Sequence, residues 1–355
     1  MSFSGVIRDA WRKNVLFSAL VELTYRCNLD CFFCYNDLNL RGRPLSTEQL
    51  LRFFEDLRDM QALNLVLSGG EPLAHPDFFR IGRHARELGF VVRIKSNGHA
   101  LRGTLARRIK EEVDPFVIET SLHGARAETH DRQTRVPGSF ERLLANVREM
   151  LALGLRVKLN GTLTAWNEGE TEQMYDLADA LGVRLTIGPE VTPRDDGDRT
   201  PLSISASPEG LRRLVEVQAA RTSRARPAAS QAPVLEGEAD EHLPVAPDKH
   251  CGAGSSGIAV DPFGNVYPCV QWRRPVGNLH DKSIKEIWAG SPDLEDIRRL
   301  TVEAKKLVDG QGERGRLLSF CPGAALVNTG SPVKLYPTVV KRMEIRDAVR
   351  KGSSR

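Results

Sequence analysis

Leu23-Thr24-Tyr25-Arg26-Cys27-Asn28-Leu29-Asp30-Cys31-Phe32-Phe33-Cys34 follows directly on an apolar run, and its three cysteines are spaced C-x3-C-x2-C with no fourth partner nearby. That spacing puts three thiolates on one tight loop. They suffice for three corners of a cubane iron–sulfur cluster and leave the fourth iron uncapped, open to a small molecule. A structural zinc loop is the competing reading. Zinc prefers a closed tetrahedron built from two paired ligand sets, and no His or Cys follows Cys34 until His75. A disulfide framework is disfavoured by the sparse use of cysteine, six in 355 residues, and by the lack of an export signal.

The surroundings of this loop set the fold. Period-two and β-branched runs at 19–24, 63–67, 90–95, 116–122, 155–164 and 183–187 predict strands. Helical patterns separate them: Ser46 with Gln49 predicts a capping box, and Leu50, Leu51, Phe54 and Leu57 a buried stripe. Pro76 is read as the first residue of the next helix, Gly89 as its terminator, and Ser139 and Gly154 as brackets of another. Six βα units in series imply an α/β fold with a parallel sheet, a partial (β/α)6 barrel, whose chemistry gathers at the carboxyl ends of the strands. The cysteines follow the first strand, as that rule requires.

Residues 1–18 are read as an N-terminal extension, 19–222 as the core, 223–249 as an Ala-, Pro-, Ser- and Glu-rich linker, 250–330 as a second module and 331–355 as a C-terminal tail, whose basic stretch Lys341 to Arg355 is read as a solvated helix end. Apolar content of 41% and charged content of 27% are those of a globular protein. A formal charge of +4 is too mild to argue for nucleic acid or a membrane surface, and no apolar run is long enough to span a bilayer. The expected compartment is the cytoplasm, where thiols stay reduced.

At the end of the second strand stands Ser68-Gly69-Gly70-Glu71-Pro72. Two glycines permit close backbone approach to a ligand, and a carboxylate beside them can receive an ammonium group. Together with C-x3-C-x2-C one strand earlier, this resembles the radical S-adenosylmethionine (SAM) superfamily. The resemblance implies a [4Fe-4S] cluster on Cys27, Cys31 and Cys34, with SAM chelated to its unique iron. It implies Phe33 beside the adenine, Gly69, Gly70 and Glu71 at the methionine amino group, Asn97 within a "TNG"-like Ser96-Asn97-Gly98, and Ser121 near the SAM carboxylate or ribose. His123 stands where the family commonly has Asp, and is read as a loop histidine. The implied chemistry is reductive cleavage of SAM to a 5′-deoxyadenosyl radical that removes hydrogen from substrate.

Cys251 and Cys269, in C-x12-G-x4-C, flank an expected hairpin turning at Pro262-Phe263-Gly264-Asn265, and Cys321 is a third thiol. This is similar to the SPASM and twitch extensions that bind auxiliary clusters. Ala324 stands in the apparent place of a further thiolate, so one auxiliary [4Fe-4S] cluster on three cysteines is expected, its fourth ligand open. His250 or a carboxylate is a candidate for that place. Zinc, or no metal at all, is the alternative for this set.

The resemblance extends to maturases of ribosomally made peptides. It implies a precursor-peptide substrate, a crosslinking or oxidation, a separate leader-binding protein, since the first strand begins within about twenty residues, and a flavodoxin or ferredoxin as electron donor. The alternatives are radical modification of a sugar, alcohol or tetrapyrrole, and a non-catalytic iron–sulfur electron carrier.

Overall fold

The computed structural model describes residues 3–37, 40–224 and 248–352. Most of the expected linker, 225–247, lies outside the described residues. After α1 (Phe3–Lys13), strands and helices alternate: β1 (Ser18–Glu22), α2 (Thr47–Asp59), β2 (Asn64–Ser68), α3 (Phe78–Glu87), β3 (Val91–Lys95), α4 (Gly103–Arg108), β4 (Val117–Ser121), α5 (Ala127–Thr134), α6 (Ser139–Ala152), β5 (Val157–Thr162), α7 (Thr171–Ala180), β6 (Arg184–Gly188) and α8 (Pro208–Arg224). The six strands are parallel, each hydrogen-bonded to the next, and β6 does not return to β1. The sheet is an unclosed barrel, as the βα series predicts.

Alternation along each strand divides the residues. Ala19, Val21, Leu65, Leu67, Val92, Ile94 and Ile118 join one buried cluster with Leu50, Phe53, Phe54, Phe78 and Ile81 of the outer helices. The other face carries Leu20, Val66, Arg93 and Glu119 toward the interior. The Ser46 capping box forms as expected. The helix expected at Pro76 begins two residues later, with Asp77 as its N-cap. A short 3-10 turn over Pro72–Ala74 uses up the preceding segment.

The second module continues the same sheet. Its strand β7 (Gly257–Val260) pairs in parallel with β1, Ser18 opposite Gly257, and β8 (Asn265–Tyr267) and β9 (Gly277–Asn278) follow antiparallel. The expected turn forms: Asp261 accepts from the Phe263 and Asn265 amides, and Gly264 adopts φ +83°. Then come α9 (Ile284–Gly290), α10 (Pro292–Asp309), α11 (Pro322–Thr329) and α12 (Pro337–Gly352). The segment read as a solvated tail is largely α12, which packs on α8 and buries Val339, Met343 and Ile345. A short apolar stripe among basic residues hid that packing. No helix among the described residues is long and apolar enough to cross a membrane.

Pairing of β7 with β1 orients the two cysteine sets. Cys27, Cys31 and Cys34 follow β1 and lie at the carboxyl ends of the barrel strands. Cys251 precedes β7, and Cys269 follows β8, which runs back; both lie at the amino ends.

Candidate active site

The cysteine loop is laced to the turn after β2. The Gly70 amide donates to Thr24 O (2.7 Å) and the Glu71 amide to Arg26 O (2.9 Å). A Cβ at Gly69, which has φ +139°, would sit 2.3 Å from Thr24 O, and one at Gly70 2.6 Å from Tyr25 O. The glycines admit the backbone of the cysteine loop itself, a role the sequence reading did not give them. On its other side, the Asp30 and Phe32 amides donate to Thr134 O and Gln133 O at the end of α5.

Cys27, Cys31 and Cys34 line one cavity of about 430 Å³ with Phe33, Gly69, Gly70, Asn97, Ser121 and His123. Burial raises each thiol above its ordinary value, and Cys31 is raised further by Cys34 and Cys27. The thiols are thus close enough to feel one another's charge. Yet among the described residues no three His, Cys, Asp or Glu side chains converge on a single metal ion. A thiol trio around a cavity, too spread for one ion, fits a multi-iron cluster better than zinc.

Glu71 does not line the cavity. It is buried behind it and accepts hydrogen bonds from the Leu73 amide (3.1 Å), the Ser96 hydroxyl (2.9 and 3.0 Å) and the Asn97 amide (2.8 Å). Burial raises its carboxyl, and those donors oppose the shift. Its carboxylate thereby fixes the Ser96–Asn97 turn, whose Asn97 side chain donates to Asn28 (2.7 Å) in the cysteine loop. His123 is walled in by Phe33, ring centroids 4.7 Å apart, and by His130; burial pushes it down to about 3, so it is neutral. It stands in the loop after β4, as expected, and forms part of the cavity wall.

Cys251, Cys269 and Cys321 line a second cavity, about 520 Å³, with the inward residues Leu20, Val66 and Arg93. Burial, then Cys269 and Cys321, pushes Cys251 up to about 12; burial followed by Cys269 takes Cys321 to about 11. Here too the donors suit a cluster. His250 does not line this cavity, and its Nε2 is paired with Phe320 O at 2.8 Å. A third cavity of about 400 Å³ shares Tyr35, Glu190, Val191, Thr192 and Gln271 with the first, and reaches Arg194, Asp195, Arg273, Ala324 and Arg342. Among them Glu190, Arg273 and Arg342 lie outside the recognised motifs. The one available signal was the nearness of Arg273 to Cys269 in sequence.

A partial parallel barrel with a thiol trio at each end defines an iron–sulfur enzyme of the barrel type. The radical SAM superfamily profile matches residues 21–178, and the SPASM iron–sulfur cluster-binding profile matches 251–311. A PqqA peptide cyclase from Ruegeria pomeroyi is 31% identical over 76% of this chain and 72% of that protein. An AdoMet-dependent heme synthase from Methanosarcina barkeri is 27% identical over 90% of this chain and 95% of that protein. The solved structure of native anSMEcpe with bound AdoMet superposes with a TM-score of 0.70 at 16% identity, over 95% of this chain and 98% of that one, and shares the fold. The chain belongs to the radical SAM superfamily, as a member with a SPASM domain. It is a radical SAM enzyme whose cofactors are SAM and iron–sulfur clusters.

Proposed function

We propose that this enzyme oxidises or crosslinks a ribosomally made precursor peptide. Cys27, Cys31 and Cys34 would hold the SAM-binding cluster, and Cys251, Cys269 and Cys321 an auxiliary one. Bound there, cluster and SAM supply a strong hydrogen-abstracting radical. The protein's part is to orient SAM and substrate and to exclude water. Phe33, Gly69, Gly70, Asn97 and Ser121 would frame SAM in the first cavity, with Glu71 holding the Asn97 turn.

The observation that carries the oxidative reading is the division of all six thiols between two sites at opposite ends of one barrel. None is left over to return a hydrogen atom to the substrate, which disfavours epimerisation through a cysteine. An electron left on the substrate has a natural sink at the second site. Likeness to the PqqA peptide cyclase supports a peptide substrate. A separate leader-binding protein, a flavodoxin or ferredoxin donor and a cytoplasmic setting complete this reading. The tetrapyrrole alternative rests on the near full-length match to the heme synthase.

The test is mass spectrometry of products made by the reduced, reconstituted enzyme in deuterated water. Short peptides encoded beside the gene and a propionate-bearing tetrapyrrole are offered as substrates. A peptide product two mass units lighter supports the proposal. Turnover of the tetrapyrrole alone transfers the assignment to the second reading. A peptide of unchanged connectivity carrying one solvent deuterium at an inverted carbon excludes oxidation.

A further inference from the structure

The segment Cys269–Arg273 runs from one thiol site to the other. Cys269 lies at the amino ends of the strands, in a cavity with Ser18, while Arg273 reaches Glu22 at the carboxyl end of β1. Ser18 and Glu22 stand four residues apart on β1, roughly 13 Å in an extended strand, whereas Cys269–Trp272 is closed into a turn by the Trp272 amide donating to Cys269 O at 3.1 Å, so the long Arg273 side chain makes up the reach to Glu22. Between them, Val270 lines both the lower thiol cavity and the third cavity, and Gln271 lines the first and third. The α11 backbone clamps the segment, since a Cβ at Gly323 would fall 2.2 Å from Gln271 O.

Arg273 follows this turn and ends in a buried charge cluster. Its Nη2 donates to both oxygens of Glu22 (2.9 and 3.0 Å), whose side chain is fully buried. The same carboxylate accepts from the hydroxyls of Tyr25 and Tyr35, at 3.1 Å each. These tyrosines flank the cysteine loop on either side, so one carboxylate holds both its shoulders. The Nε of Arg273 lies 3.0 Å from Asp195 Oδ2, and the Asp195 amide donates to Tyr35 O.

We propose that Arg273 is a positioning residue that joins the auxiliary site to the SAM site, and that the Arg273–Asp195 pair sets the reduction potentials of the two clusters relative to each other. Its cationic end is joined to Cys269 through the hydrogen-bonded turn that precedes Arg273, and its anionic end to Cys34 through the bond from the Asp195 amide to Tyr35 O, the next residue in the cysteine loop. A positive charge near a cluster favours the reduced state and a negative one opposes it. The inference rests on the assignment of one cluster to each cysteine trio.

The experiment is an EPR-monitored redox titration of the reconstituted enzyme at pH 8, comparing wild type with Arg273→Met, Arg273→Lys and Asp195→Asn. Arg273→Met is expected to lower both midpoint potentials, the auxiliary one more. Asp195→Asn is expected to raise that of the SAM-site cluster, and Arg273→Lys to stay near wild type. Shifts of opposite sign set a charge effect apart from general damage, which would move both variants alike. Shifts of the same sign, or none, overturn the proposal. If Arg273→Met fails to assemble, Asp195→Asn decides: a raised potential supports the proposal and an unchanged one overturns it. A wild type with a single cluster contradicts the underlying assignment instead.

Discussion

Replacing Glu71 with Ala separates two ways in which this carboxylate serves SAM. Three donors end on it: the Leu73 and Asn97 amides and the Ser96 hydroxyl. Truncation leaves them in a dry pocket without an acceptor, at about 1–3 kcal/mol each. Relief from burying a carboxylate, the cause of its raised pKa, offsets part of that cost. The net expectation is destabilisation on the order of 2–5 kcal/mol before SAM is added. Loosening of the Ser96–Asn97 turn should also weaken SAM binding by about tenfold to a hundredfold, the equivalent of about 1.5–3 kcal/mol. The assay pairs urea unfolding of the reconstituted, SAM-free protein with SAM titration of the same preparation. A fall in both quantities fits a carboxylate that acts through the turn. An unchanged urea midpoint with weakened SAM binding would refute that reasoning and place Glu71 in direct contact with the SAM ammonium.

Three further outcomes follow from the geometry. Changing Cys27, Cys31 and Cys34 together to Ala should leave about half the iron by colorimetric assay, because the second trio lies at the other end of the barrel; loss of all cluster absorbance in folded protein would contradict two sites. Gly70→Ala pushes a Cβ against Tyr25 O and should lower stability by about 1–3 kcal/mol with loss of SAM-site iron, whereas wild-type iron content would show that the close approach is unimportant. Glu22 takes the two-oxygen share of Arg273, leaving Asp195 the weaker share, so burial pushes Asp195 up to about 7 despite the nearby cation. A carboxyl raised in the folded state adds stability below its unfolded value, near pH 4, and that contribution is lost as pH rises toward 7. Wild type should therefore lose stability relative to Asp195→Asn across that window in paired thermal melts, and parallel curves would remove Asp195 from the account.

The barrel and the SAM-site motif were legible because both are local signals. Strand periodicity, the Ser46 cap and the C-x3-C-x2-C loop each occupy a dozen residues or fewer, and the structure places them within a residue or two of their expected positions. Position in space was not legible. Nothing in the sequence around Gly257 announces that β7 joins β1, yet that pairing sends the two cysteine trios to opposite ends of the strands. Glu71 was identified by motif and assigned to a ligand, whereas its oxygens are taken by the neighbouring turn. Arg273 and Glu190 escaped notice because charged residues are common on loops. Only folding brings Arg273 onto Glu22, and Arg342 of α12 onto Glu190 at 3.0 Å.

The most direct test of the account is whether the reduced, anaerobically reconstituted protein cleaves SAM. It should release 5′-deoxyadenosine and methionine, detected by chromatography and mass spectrometry, and the Cys27, Cys31 and Cys34 triple-alanine variant should release neither. A wild-type protein that holds its clusters and binds SAM, yet yields no 5′-deoxyadenosine with or without candidate substrates, would contradict the account and leave an electron carrier in its place.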